Sequence, residues 1–99
     1  MTLPVAIVLG VDSAIGLTVV RELGRLGVPV VAIGRSVKAI GRYSRHTARF
    51  VVRPRARDLA DWLPKVIRET GAAVLLAISE GDLIALADLP EVIEGCRIL

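Results

Sequence analysis

A short apolar run from Leu3 to Leu9 ends at a glycine-containing segment, Gly10–Gly16, in which a helical pattern begins at once. The part from Val5 to Leu9 contains no polar residue, which is typical of a central strand covered on both faces of a parallel sheet. The turn after it places backbone N–H groups at the start of a helix, where the helix itself does not use them. The turn could therefore bind a phosphate, bind another polar ligand, or serve only to connect the strand to the helix.

Strand and helix patterns alternate along the rest of the chain. The predicted strands are Val5–Leu9, Val30–Ile33, Arg49–Val52 and Ala73–Ile78, and the predicted helices run from a cap at Asp12 or Ser13 to Leu26, from Asp58 to Thr70 and from Asp82 to Leu89. The other segments are an irregular stretch with one helical turn near Ala39–Tyr43, a turn over Pro90–Gly95 and an exit segment, Arg97–Leu99. This alternation predicts parallel strands joined by right-handed crossovers. We expect one α/β domain over residues 1–99, a Rossmann-like three-layer sandwich with a four-stranded parallel sheet (order 3-2-1-4) and helices on both faces.

The composition indicates a cytoplasmic protein that packs against a partner. Apolar residues make up 54% of the chain without glycine, against about 45–50% with glycine in an average globular protein. A domain of this size cannot bury all of them, so we expect part of a larger enzyme or a tight oligomer. The single cysteine, Cys96, excludes an internal disulfide and a metal site built from several cysteines. The sequence predicts neither a signal peptide nor a membrane-spanning segment.

Positive charge is concentrated in the first part of the chain. Residues 1–57 contain ten Lys or Arg and two acids, and the stretch from Arg35 to Arg57 contains eight basic residues and no acid. This stretch could bind an anion, or it could be a solvated loop. Nucleic acid is not favoured, because only Tyr43 and Phe50 could stack on bases there and no known nucleic-acid-reading motif is present.

The predicted ligand site lies where strands 1 and 4 are neighbours and the loops after them diverge. The candidate substrate-binding residues are Gly10, Asp12, Ser13, Ser79, Glu80 and Asp82. Arg35, which follows strand 2, is a candidate anion contact at the same edge. These residues could instead have a purely structural role, because Asp and Ser at these positions also cap helices and glycine also allows tight turns. The sequence offers no catalytic residue and no metal ligands: Tyr43 has no evident base nearby, and His46 has no second ligand at metal-binding spacing.

The turn resembles the T-G-x-x-x-G-I-G fingerprint of short-chain dehydrogenases, and Arg35 resembles the arginine with which that family selects NADP. Several residues depart from that pattern. Ala14 replaces the middle glycine, Arg53 follows strand 3 where that family has an acid, and Thr47 stands where a lysine should follow Tyr43. Asp12 would also place a negative charge close to an incoming pyrophosphate, which weakens binding.

A second resemblance covers nearly the whole chain. It rests on the order of a glycine turn, the segments Arg21–Gly27, Val28–Val31, Tyr43–His46 and Val51–Pro54, and the Ser79–Asp82 turn. Of these, Tyr-Ser-Arg-His and Ser-Glu-Gly-Asp are the most characteristic. Together they resemble the N-terminal domain that precedes the ATP-grasp fold in carboxylate–amine ligases and carbamoyl-phosphate-synthase-like proteins.

This resemblance implies an enzyme that uses ATP and magnesium to activate a carboxylate as an acyl phosphate, which an amine then attacks. The ATP-binding machinery would follow Leu99, so this domain would hold no cofactor and would be inactive alone. It would supply one wall of the substrate cleft and pack against the ATP-grasp domain or a second copy. Two alternatives stay open: an NADP-binding fragment of a short-chain-dehydrogenase-like oxidoreductase, and a stand-alone flavodoxin-like interaction module.

Overall fold

The computed structural model describes residues 3–39 and 44–99, and in these ranges it contains six strands and three helices. The strands are β1 (Ala6–Leu9), β2 (Val30–Gly34), β3 (Thr47–Val52), β4 (Val74–Ala77), β5 (Val92–Ile93) and β6 (Cys96–Ile98). The helices are α1 (Ala14–Arg25), α2 (Leu59–Thr70) and α3 (Glu80–Leu86), and a 3-10 turn, Ala56–Asp58, leads into α2. The helical turn predicted near Ala39–Tyr43 falls mostly outside the described residues.

All six strands belong to one sheet, in the order β3-β2-β1-β4-β6-β5. Neighbouring strands are parallel except for β5, which runs antiparallel to β6. The predicted four-stranded sheet of order 3-2-1-4 is therefore wrong. The first four strands lie in the order β3-β2-β1-β4, and β6 and β5 continue the sheet beyond β4.

The two additional strands form a hairpin where the sequence predicts only a turn and an exit segment. Glu94 and Gly95 connect them with φ values of 50° and 79°. Positive φ at both residues of a two-residue loop is the geometry that matches the twist of antiparallel strands. β6 then pairs with β4, with Arg97 opposite Val74. Strands of two and three residues are too short to produce a detectable alternation, which explains the error.

The sheet is the middle of three layers, and β1 lies at its centre. All four residues of β1 are fully buried. Ile7 and Leu9 pack in one apolar cluster with side chains of α2 and with Leu86 of α3. Val8 packs in a second cluster with Val20 of α1. Because successive residues of a strand point to opposite faces, α1 covers one face and α2 and α3 cover the other.

The N-terminal caps decide between the two predicted caps of α1 and correct the predicted start of α3. Ser13, not Asp12, caps α1: its Oγ accepts a hydrogen bond from the N–H of Gly16 at 3.2 Å. Ser79 caps α3 in the same way through the N–H of Asp82, at 3.1 Å. Because Ser79 is the cap, α3 begins at Glu80 and not at Asp82, and it ends at Leu86 instead of Leu89.

Cys96, the first residue of β6, is a packing residue. It is fully buried in the cluster that contains Ile7 and Leu75. Burial raises the pKa of its thiol above the ordinary value of 9.0, because apolar surroundings disfavour the thiolate. A thiol in this state is a poor nucleophile and a poor metal ligand.

The structure also bears on membrane association. Within residues 3–39 and 44–99, none of the helices combines the length and apolar character that crossing a membrane requires.

We predict that Gly16→Ala destabilises the protein. A Cβ at this position would lie 2.9 Å from the Cα of Val11 and closer still to the backbone of Gly10, so the helix would have to move away from the turn. We expect the free energy of unfolding to fall by about 1–3 kcal/mol in urea titrations followed by circular dichroism. Gly81→Ala is the matched control, because Gly81 also lies in the first turn of a helix and a Cβ there meets nothing within 4 Å. The control should be unchanged or more stable, and equal stability of the two variants would contradict the prediction.

Candidate functional site

The loops after four parallel strands meet at one edge of the sheet. β1 is followed by Gly10–Ser13, β2 by Arg35, β3 by Arg53, and β4 by Ile78 and Ser79. Between the loops after β1, β2 and β4 lies an open cleft of about 360 Å³, which we call the switch-point cleft. Its lining residues are Gly10, Asp12, Ser13, Ile15, Arg35, Ile78, Ser79 and Asp82. The cleft lies beyond the carboxyl ends of β1 and β4, where the loops diverge and where ligands of parallel α/β sheets bind.

The predicted site residues lie around this cleft, with one exception. Gly10, Asp12, Ser13, Arg35, Ser79 and Asp82 all contribute to its lining. Glu80 does not contribute: it is the first residue of α3 and is exposed. Because a helix turns by about 100° per residue, a residue directly after the cap faces a different direction from one three positions after it.

Gly10 allows β1 and β4 to lie close together at their ends. Its φ is +116°, a value that side chains disfavour, and a Cβ would lie 3.1 Å from the Cβ of Ile78. Its N–H and that of Val11 both donate to the carbonyl oxygen of Ile33 at the end of β2, at 2.9 and 3.1 Å. The turn after β1 is therefore held against β2 on one side and β4 on the other.

Ser13 and Ser79 combine a capping role with a position in the cleft. Each hydroxyl oxygen accepts a backbone hydrogen bond at the start of a helix. A hydroxyl that accepts through its oxygen still has a hydrogen to donate. The two readings that the sequence left open, helix cap and ligand contact, are therefore compatible at both residues.

Asp12 connects the loop after β1 to the loop after β2. Its Oδ1 accepts a hydrogen bond from the backbone N–H of Arg35 at 2.9 Å, so it does not act as the cap that the sequence allows. The carboxylate remains exposed and lines the cleft beside the start of α1. An anion bound at that helix start would lie next to this negative charge, whereas a cationic group would be attracted to it. The position of Asp12 therefore disfavours a pyrophosphate and favours an amine.

A buried ion pair lies behind the cleft. Arg53, directly after β3, donates through Nη1 to Oδ1 of Asp82 in α3, and each side chain is only 4% exposed. Arg53 also donates from Nε to the carbonyl oxygen of Pro54, at 3.2 Å. Its backbone N–H donates to the carbonyl oxygen of Gly34, at 2.9 Å. Asp82 was predicted as a ligand contact. It lines the cleft, but its carboxylate already has a charged partner, so we assign it a structural role.

Arg53 is the site residue that the sequence analysis missed. It follows an apolar strand in a stretch without acids, and this pattern is equally typical of a solvated loop. Its partner is 29 residues further along the chain. Identifying the pair would have required knowing that α3 packs near the end of β3.

Arg53 and two other arginines line a second cleft of about 430 Å³, which we call the arginine cleft. Its lining residues are Arg35, Arg53, Pro54 and Arg55. Arg35 belongs to both clefts, so they are adjacent. The predicted anion contact, Arg35, therefore shares this cleft with Arg55 and with Arg53, whose side chain is paired with Asp82.

Among the described residues just before β3, Arg45 and His46 lie apart from these arginines. Arg45 and His46 precede β3 and lie with Arg21 and Arg25 around another cleft of about 320 Å³. Because the chain enters β3 after these residues, that cleft is at the amino edge of the sheet, opposite the arginine cleft. Tyr43 and Arg42 fall outside the described residues, so the Tyr43–His46 segment is described only in part.

Metal binding has no candidate in the part of the chain that the structure describes, since it holds no group of three or more His, Cys, Asp or Glu that could ligate an ion. Comparison with known families and with curated proteins identifies no match to this chain. The assignment of function therefore depends on the sequence patterns and on the geometry of the two clefts.

We predict that Arg53→Met strongly destabilises the protein, because it leaves the carboxylate of Asp82 buried without a partner. The free energy of unfolding in urea should fall by about 3–5 kcal/mol. The double variant Arg53→Met with Asp82→Leu should recover most of this loss, since no buried charge remains.

The control is the exposed pair Arg68–Glu94, whose N–O distance is 3.0 Å and whose side chains are 58% and 40% exposed. Arg68→Met should lower the free energy of unfolding by less than about 1 kcal/mol, because solvent screens the pair. If Arg53→Met costs no more than Arg68→Met, the Arg53–Asp82 pair is not a structural support.

Proposed function

We propose that this chain is the N-terminal, substrate-side domain of an ATP-grasp ligase that forms a carbon–nitrogen bond through an acyl phosphate. We further propose that the sheet is of the Rossmann-like class, with β5 and β6 added beside β4. The ATP-grasp domain of the same enzyme would bind ATP and magnesium. When bound there, ATP supplies the phosphoryl group that converts the substrate carboxylate into an acyl phosphate. The domain described here would bind and orient substrate and would not be catalytic alone.

The observation that carries this proposal is the arrangement of charge in the switch-point cleft. Asp12 provides a carboxylate on one side, and Arg35 provides a guanidinium at the border with the arginine cleft. Ser13 and Ser79, whose hydroxyl groups can donate hydrogen bonds, line the same cleft. A ligand with both an amine and a carboxylate would satisfy such a site, because each of its charged ends finds an opposite charge. This supports the ligase assignment, whose substrates are carboxylates and amines.

The proposed contribution of the domain is positioning. Binding an amine beside Asp12 holds the nucleophile in one orientation relative to the rest of the enzyme. Fixing two reactants in this way converts a bimolecular step into an effectively unimolecular one and lowers its barrier. The side chains of the cleft would thus contribute to the rate without donating or accepting a proton in the reaction.

Exposed apolar residues on the surface support an interface with a partner. Among the described residues, the large apolar side chains that remain exposed are Leu3, Ile15, Leu26, Val37, Val52, Leu83, Ile84, Val92 and Leu99. Ile15 is 67% exposed and lies at the rim of the switch-point cleft. In the proposed enzyme some of these residues face the ATP-grasp domain or a second copy of the chain. They would equally suit a stand-alone interaction module.

NADP binding is the second candidate function, and the position of Arg35 favours it. The arginine follows β2 and lines the cleft at the β1–β4 junction, as an arginine that recognises the 2′-phosphate of NADP would. The carboxylate of Asp12 and the hydroxyl of Ser13 occupy the helix start where the pyrophosphate would have to bind. We therefore rank this candidate below the ligase domain.

Thermal unfolding of the purified chain distinguishes the candidates. We expect a mixture of the common amino acids to raise Tm and NADP to leave it unchanged. At about ten times Kd a ligand stabilises by about 1.4 kcal/mol, which raises the Tm of a domain of this size by several degrees. Asp12→Ala should abolish the shift, whereas Glu80→Ala, which removes the same charge from a neighbouring position outside the cleft, should retain it.

Two outcomes would contradict the ligase proposal. One is a clear rise in Tm with NADP that Arg35→Ala removes. The other is a coding sequence whose complete product contains no ATP-grasp region and releases no ADP from ATP when carboxylates and amines are supplied.

A further inference from the structure

The backbone at the ends of β2 and β3 fixes two arginines side by side. Gly34 and Val52 are paired in the register of these strands, and Arg35 and Arg53 are the residues that follow them. The N–H of Arg53 donates to the carbonyl oxygen of Gly34 at 2.9 Å, and the N–H of Arg35 donates to Asp12 at 2.9 Å. Both backbone positions are therefore held by hydrogen bonds. Arg55, two residues further along, completes the arginine cleft.

The charges in this cleft are only partly balanced. Arg53 has a buried carboxylate partner, Asp82. Among the residues that the structure describes, neither Arg35 nor Arg55 takes part in an ion pair, and both side chains are exposed. Arginine keeps its charge at any physiological pH. Two positive groups that have no carboxylate partner therefore border one open space, and a bound anion would relieve their repulsion.

We propose that the arginine cleft is an oxyanion site that binds a carboxylate or phosphate group, with Arg35 and Arg55 as the contacts. The planar guanidinium presents paired N–H groups that match the two oxygens of either anion. Arg53 also lines this cleft, but Asp82 balances its charge, so the contacts to the anion are left to Arg35 and Arg55. This site rests on the proposed function, which already uses Arg35 as a carboxylate contact, and extends it by adding Arg55 and the arginine cleft.

The adjacent clefts suggest what kind of molecule carries the anion. Arg35 borders both clefts, so a ligand whose amine lies beside Asp12 can extend an anionic group past Arg35 towards Arg55. The ligand class is thus a small molecule with a cationic group at one end and a carboxylate or phosphate at the other.

Calorimetric titration of the purified chain at low ionic strength tests the site, with inorganic phosphate and succinate as separate probes. We expect at least one of the two anions to bind, and the tighter one identifies the preferred oxyanion. Arg35→Ala and Arg55→Ala should each weaken binding about tenfold, the effect of one lost charge-assisted hydrogen bond. Both positions are exposed, so the variants should fold as the wild type does, which circular dichroism would verify.

Arg45→Ala is the matched control, because it removes the same charge from the basic cleft at the opposite edge of the sheet. It should change the affinity less than twofold. The proposal is overturned if neither anion binds the wild type, or if Arg45→Ala weakens binding as much as Arg35→Ala and Arg55→Ala do, since the attraction would then be a general effect of net charge. ADP release plays no part in this titration, so a failure of the arginine cleft to bind anions is distinguished from a failure of the chain to belong to a ligase.

Discussion

The buried pair between Arg53 and Asp82 connects parts of the fold that are distant along the chain and across the sheet. Arg53 directly follows β3, and Asp82 lies in α3, which follows β4, three strand positions away from β3 in the sheet. Neither charge can be removed alone without leaving the other buried and unpaired, which is far more costly than losing an exposed pair. The pair therefore fixes where α3 lies relative to the edge of the sheet. It also forms the boundary between the two clefts, because Asp82 lines one and Arg53 lines the other.

The sequence predicts well those features that depend on neighbouring residues. The apolar run before Gly10 identifies the central strand, and Ser13 is one of the two caps that the sequence allows for α1, because strand burial and helix capping are local effects. The start of α3 is predicted at Asp82, two residues after its true start at Glu80. The hairpin over Val92–Ile98 escapes prediction because its strands are too short to show a pattern.

The site is predicted only in part, for a different reason. That its loops meet follows from parallel topology alone, so most of the lining residues are identified in advance. Two contacts of the site are not predicted from the sequence. Asp12 binds the backbone of Arg35, 23 residues away, and Arg53 binds Asp82, 29 residues away. Each depends on strand register and helix placement, and neither leaves a signal in the spacing of residues. Through these contacts Asp12 and Asp82, which the sequence predicts as substrate-binding residues with helix capping as the alternative, also link separate loops and elements.

The central claim is that the carboxyl edge of this sheet is where the protein binds its ligand. Amide chemical shifts in a ¹H–¹⁵N NMR spectrum test it directly, with inorganic phosphate, an amino acid mixture and NADP added in turn. The account predicts that phosphate or the amino acids shift the amides of Gly10–Ser13, Arg35, Arg55 and Ser79. Shifts concentrated at Arg21, Arg25, Arg45 and His46 on the opposite edge, or shifts produced by NADP alone, would contradict it.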